Sequence, residues 1–342
     1  MSNPVLIQDE QHQRLEVKLR RELGDQVLRL LDDDLTEDIL LNPDSSLWAK
    51  RMGHGFSRIG EMPSAQAASA LGTIAAWRGT VLNHEHPILE TELPIDGSRF
   101  EGIVSPVVRG PVFAIRLRPR KIFSLDDYES DGILTDGTDP LNQLRRRDDF
   151  LDGVRGLKHG DVIRAAVRAR KNILIVGSTG SGKTTLVNAI LDSLARLTPN
   201  DRVISIEDTT ELQCPVENYL DLRAVGGVTM LDCLRACMRL KPTRIVVGEV
   251  RGAEAHTLLK AWNTGHPGGA ATVHANDALS GLIRLESLVA EATNAPQQAL
   301  IAEAVDLVVF VDEESVIKAG RKVREVLLVT GYSNGNYQVE RV

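Results

Sequence analysis

Asn172-Ile173-Leu174-Ile175-Val176-Gly177-Ser178-Thr179-Gly180-Ser181-Gly182-Lys183-Thr184-Thr185-Leu186 is the stretch that decides the fold. Ile173 to Val176 is a strand-sized apolar run, and it enters a full match to G-x-x-x-x-G-K-[ST] from Gly177 to Thr184. After the loop, Leu186, Val187, Ile190, Leu191, Leu194 and Leu197 keep helical spacing. A glycine-rich turn between a buried strand and a helix start is the context a phosphate-binding loop requires.

The residue types explain the chemistry. Gly177, Gly180 and Gly182 let backbone N–H groups turn inward on phosphate oxygens, with Ser178, Thr179 and Ser181 completing the loop, and the helix start adds its positive dipole end. Lys183 supplies a point charge to the β- and γ-phosphates, and Thr184 offers a hydroxyl to Mg²⁺. Thr185 faces the α-phosphate or packs. The cofactors expected are therefore ATP and Mg²⁺.

Outward from the loop, strand-like runs recur at Val203–Ile206, Ile245–Val247, Ala271–Val273 and Leu307–Val311, separated by helical stretches. That alternation is the signature of a parallel α/β sheet. Arg324–Val329 and Tyr337–Val342 flank the turn pair Asn334-Gly335, which predicts a closing antiparallel hairpin. Ligands in open α/β sheets gather at the carboxyl ends of strands. The run Arg244-Ile245-Val246-Val247-Gly248-Glu249 makes Glu249 the Walker-B acid and second Mg²⁺ contact, against the plainer reading of a surface glutamate. Ile206 leads into Glu207-Asp208-Thr209-Thr210-Glu211, and Glu207, nearest the strand, is the choice to polarise attacking water. His266 and His274 bracket a glycine-rich turn and short strand. Neither a cysteine nor a third acidic ligand stands in register for zinc, so His274 reads as a buried, hydrogen-bonded sensor of the γ-phosphate.

The first half reads differently. Leu19, Leu23, Val27 and Leu31 repeat every four positions on a helix whose charges are mixed in sign, which favours packing within a domain over a lipid surface. Ile39–Leu41, Val104–Val108 and Val112–Leu117 read as strands and Ala65–Trp77 as a helix, giving a small α+β domain over residues 1–123. Acidic residues and glycines from Ser124, then Arg145 to Arg147, read as linker and surface elaboration over 124–160, with the P-loop domain over 161–342.

Composition bounds the rest. The 342 residues suit two domains, with 42% apolar and 25% charged residues, as in ordinary globular chains. A net charge of −7 argues against a surface that grips nucleic acid throughout, so no sequence-specific nucleic-acid binding is expected. Three cysteines imply no disulfide framework and point to a reducing compartment. Cys233 and Cys237, four apart on one helical face, read as small core residues. Met1 to Glu10 shows no secretory signal, and no apolar run reaches membrane-spanning length.

Taken together, Gly177-Ser-Thr-Gly-Ser-Gly-Lys-Thr-Thr-Leu186, Ile204 to Gln213, Arg244 to Ala255 and Asn263 to Asn276 resemble the type II/IV secretion ATPases, most of all their conjugative-transfer members. Weaker resemblance reaches Ile39 to Trp48. It implies an α/β, RecA-like P-loop domain preceded by a smaller α+β N-terminal domain. It further implies a homohexameric ring, cytoplasmic and peripheral to the inner membrane, working with inner-membrane components of a secretion or conjugation machine. Glu207, Asp208 and Glu211 match the family's acidic box, Glu249 its Walker-B acid, and His266 and His274 its histidine box. Family arginines that reach the γ-phosphate match Arg99 and Arg116, and a planar fork suits that role. The four-cysteine insertion of many type II members is missing, as is the C-terminal signature of retraction motors. Thr135 to Lys158 is longer than the usual family linker. The competing readings are a RecA-like DNA translocase or helicase, for which Arg118–Lys121 and Arg145–Arg147 are thin basic support, and a small-molecule kinase.

Overall fold

The computed structural model describes residues 4–119, 124–134 and 147–342. The chain divides into two compact units, Met1–Lys121 with Leu220–Lys241, and Ile122–Tyr219 with Pro242–Val342. Leu220–Lys241, expected within the P-loop domain, thus belongs to the first unit.

In that unit, α1 (Pro4–Asp32) buries Leu19, Leu23, Val27 and Leu31, the expected apolar stripe. The helix breaks at Gly24, whose φ of 75° leaves the Glu22 carbonyl without its helical partner. Gln66 Nε2 donates to that carbonyl at 2.7 Å. The chain continues through β1 (Thr36–Leu41), β2 (Ser46–Arg51), β3 (Phe56–Glu61), α2 (Ser64–Trp77), β4 (Ile88–Glu92), β5 (Arg99–Ile103) and β6 (Val112–Arg116). The strands form a sheet of order β3-β2-β1-β6-β5-β4 with antiparallel neighbours. One sheet face packs Ile39, Leu41, Phe113 and Ile115 against Leu23, Leu71 and Ile74. Val104–Val108 is no strand. Pro106 within it and Pro111 after it lack the N–H a ladder needs, and Val107 and Val108 are buried in a loop instead.

The second unit begins with α3 (Leu125–Ser130), α4 (Arg147–Val154) and α5 (His159–Arg168). The linker expected over 124–160 therefore holds helices, and Leu151 and Val154 of α4 belong to the core of this unit. Flanking charges had masked those two apolar positions. Residues 135–146, with Arg145 and Arg146, lie outside the described residues, as does Lys121.

Next come β7 (Ile173–Val176), α6 (Lys183–Leu197) and β8 (Val203–Glu207); β9 (Tyr219–Arg223), apart from Tyr219, and α7 (Met230–Arg239) fall in the stretch of the first unit, and β10 (Arg244–Val247), α8 (Glu254–Asn263) and β11 (Ala270–Val273) follow in the second. The chain ends with α9 (Ala278–Ala290), α10 (Gln298–Ala304), β12 (Leu307–Glu313), β13 (Arg321–Ser333) and β14 (Asn336–Arg341). The strands of this unit follow the order β14-β13-β12-β7-β11-β10-β8. Strands β8, β10, β11, β7 and β12 run parallel, so β7 is buried along its whole length, as its unbroken apolar run requires. β9 had no sequence signal, since Asp221 and Arg223 interrupt its five residues. The β13–β14 turn forms at Asn334 (φ 52°) and Gly335 (φ 78°), both left-handed as a two-residue hairpin demands. Cys233 and Cys237 are buried on α7. Among the described residues, no helix is long and apolar enough to cross a membrane.

Candidate active site

Strand β7 ends at Val176, and the chain turns through Gly180 (φ 80°) and Gly182 (φ 97°), backbone angles that side chains disfavour. Gly177 is enclosed by atoms: a Cβ there would lie 2.3 Å from the Val311 carbonyl oxygen and 2.4 Å from Ser181 Oγ. Gly182 opens α6, whose first N–H groups have no intrahelical acceptors. Ser178 and Thr179 are exposed on the loop, Ser181 is buried, Thr184 is half-buried and Thr185 is exposed.

Lys183 is buried under this loop. Its Nζ donates to the Gly177 carbonyl at 3.0 Å, the Ser178 carbonyl at 2.8 Å and His274 Nδ1 at 3.1 Å. Burial pulls the ammonium below its ordinary pKa, and nearby Glu249 opposes that shift. An ammonium can only donate, so Nδ1 of His274 accepts and Nε2 carries the ring hydrogen. That nitrogen faces Glu249 Oε1 at 3.0 Å, and the ring is exposed rather than buried as expected, because it lies just past the end of β11. The other oxygen, Oε2, accepts from Arg251 Nη2 at 3.0 Å. Burial pushes the Glu249 carboxyl up, but Arg251, His274 and Lys183 outweigh it and hold it below its usual range. Arg251 also pairs with Asp208, and these acids raise its pKa further.

Three strand ends thus bring Lys183, His274 and Glu249 together, with Asp208 joined through Arg251. In the sequence Arg251 stands out only as part of the stretch Arg244 to Ala255. Glu207, at the end of β8, is buried, and its Oε1 accepts from the Glu211 N–H at 3.0 Å and the Leu212 N–H at 2.9 Å. Gly248 leaves room for it: a Cβ there would meet Glu207 Cγ at 3.1 Å. His266 turns elsewhere and donates from Nδ1 to the Pro242 carbonyl at 2.9 Å. Arg321, which carried no motif, donates from Nη1 to Thr185 Oγ1 at 2.8 Å.

In the first unit, Arg99 on β5 and Arg116 on β6 are direct cross-strand partners. Both are exposed, and both line one cavity with Asp38, Glu101 and Lys241. Asp38 faces Lys241 at 3.3 Å, while neither arginine makes an ion pair among the described residues. Like charges placed directly opposite one another are unfavourable in a sheet, and Asp38, Glu90, Glu92 and Glu101 line the same cavity.

A family model described as type II/IV secretion system protein matches residues 153–318. A probable conjugal transfer protein TrbB of Sinorhizobium fredii is 44% identical over 329 residues, covering 96% of this chain and 94% of the relative. The VirB11 protein of Agrobacterium fabrum is 30% identical, covering 83% of this chain and 86% of its own length. Among solved structures, the VirB11 ATPase of the Brucella suis type IV secretion system, in complex with sulphate, matches with a TM-score of 0.81 and 25% identity. That match covers 93% of this chain and 96% of the other. The α/β fold class with a smaller N-terminal sheet domain is the one read from the sequence.

Proposed function

This chain belongs to the type II/IV secretion system protein family, and from that premise we propose that it is the ATP-hydrolysing motor of a type IV secretion or conjugative transfer apparatus. The observation that carries this reading is the chain of contacts from Lys183 through His274 to Glu249 beneath a phosphate-binding loop. It joins the residue that grips phosphate to the acid that serves metal and water.

In the proposed cycle, the loop from Gly177 to Thr185 cradles the nucleotide, and Lys183 leaves its own loop carbonyls for the β- and γ-phosphates. Mg²⁺ fits the residues present. The Thr184 hydroxyl makes no hydrogen bond among the described residues, and Glu249 is an ionised carboxylate. Mg²⁺ favours hard oxygen donors and keeps several waters, so these two would hold it beside the phosphates. When bound, the ion supplies neutralisation of the phosphate charge. Glu207, its orientation fixed by two backbone amides, polarises the attacking water. When Lys183 turns to the phosphates it releases His274 Nδ1, and in this way His274 senses the γ-phosphate and reports it to Glu249. Arg99 and Arg116 engage the γ-phosphate, whose oxygens suit a pair of planar forks.

The family premise makes the chain a component of a secretion machine that assembles as an oligomer. The finer reading is a hexameric ring, cytoplasmic and peripheral to the inner membrane, that passes nucleotide-dependent domain motion to inner-membrane components. Product analysis tests the reaction. Orthophosphate release without a phosphorylated acceptor supports the motor, and a phosphorylated acceptor would place the chain among kinases. ATP turnover stimulated many-fold by DNA, with steep salt dependence, would favour a DNA translocase instead.

A further inference from the structure

Arg321 begins β13, opposite Glu313 in the register of the β12–β13 pair. Its side chain reaches over the phosphate loop. A Cβ on Gly182 would lie 2.5 Å from Arg321 Cδ and 2.6 Å from its Nη1, and Nη1 donates to Thr185 Oγ1 at 2.8 Å. Despite the cross-strand glutamate, Arg321 makes no ion pair among the described residues, and its remaining guanidinium hydrogens find no acceptor there.

This is an unfavourable place for a cation with a merely structural role. The amino end of α6 carries the positive end of the helix dipole, and Lys183 adds a second positive charge at the same turn. A guanidinium held there without a carboxylate lowers its energy when an anion arrives. The hydroxyl it grips is prepared in the same sense. Thr185 Oγ1 accepts from Arg321, which leaves the hydroxyl hydrogen to donate outward. The exposed guanidinium and the exposed hydroxyl thus offer donors to one anion at the third residue of the helix.

We propose that Arg321 and Thr185 together form the α-phosphate contact of the nucleotide site, with Arg321 an affinity element for phosphorylated nucleosides; this rests on the ATPase reading above. The contact is the same for ATP and ADP and the same before and during γ-phosphoryl transfer. It therefore tightens binding of both without lowering the chemical barrier.

The test is calorimetric titration of the full chain with ATP and with ADP, each with magnesium, joined to steady-state turnover. Arg321→Ala should raise both dissociation constants by the same factor, about tenfold for one charge-assisted contact. It should raise KM alike and leave kcat at saturation within about twofold. Arg321→Lys, which keeps the charge, should restore part of the affinity. Unchanged dissociation constants would overturn the assignment, and so would a loss confined to ATP or a fall in kcat at unchanged KM. Should Arg321→Ala not fold, Arg321→Gln is read by the same criteria. Lys183→Ala, measured in parallel, separates the two claims. If it still bound both nucleotides tightly, the P-loop reading itself would fail; if it lost binding while Arg321→Ala did not, only the Arg321 assignment would.

Discussion

His274 sits between a residue that can only donate and a carboxylate that can only accept, so its hydrogen is fixed on Nε2. Replacement by Ala should therefore do two things: free Lys183 from its side-chain acceptor and cut Glu249 off from the loop. Glu207 can be tested without disturbing that chain. Glu207→Gln keeps an oxygen for the Glu211 and Leu212 amides but loses basicity, so turnover should fall at least about a hundredfold with ATP affinity retained. Rapid-quench turnover and titration on the same preparation check this, and undiminished turnover would remove Glu207 from its role. Glu101 offers a test of the first unit. Burial pushes its carboxyl up to about 8, against an ordinary 4.5, and Oε2 has no hydrogen-bond partner. The folded state then binds the extra proton, so its stability is lost as pH rises from about 4.5 towards 8. Glu101→Gln should gain on the wild type across pH 5 to 8, by at least about 2 °C in melting midpoint at the upper end. A constant difference would contradict this. At this scale the sequence singled out Lys183, Glu249 and His274, whose positions follow strand ends and which the structure joins in one chain of contacts. Arg321 was invisible, because 136 residues separate it from Thr185 and only strand pairing brings them together.

Strand β12 is more than a neighbour of β7. Its Val311 carbonyl stands where a Cβ on Gly177 would go, and the strand paired with it delivers Arg321 to Gly182. The phosphate loop is therefore shaped from outside as well as by its own glycines. Gly177→Ala should cost about 1–3 kcal/mol, since the clash is with backbone and cannot be relieved by rotating a side chain. Urea unfolding followed by circular dichroism reads this, and an unchanged midpoint would refute the brace. Elements with a single strong period or a turn signature were legible, among them β7, β12, α2 and the Asn334-Gly335 hairpin. The failures have physical causes: prolines deny Val104–Val108 a ladder, and charges hide the apolar residues of β9 and α4.

At the scale of the molecule, Leu220–Lys241 belongs to the first compact unit although the sequence on either side of it belongs to the second. No linear boundary could express that, because the assignment follows from packing and not from order along the chain. The proposed ring is tested by direct weighing: light scattering should give a hexameric mass with ATP and magnesium, and a strict monomer under all conditions would contradict it. The central claim, that the loop from Gly177 to Thr184 is the seat of ATP hydrolysis, is tested most directly by the rate of orthophosphate release from the full chain and from Lys183→Ala. Steady release is expected from the wild type and none above background from the variant, with far-UV circular dichroism unchanged. Release by Lys183→Ala at the wild-type rate would contradict it.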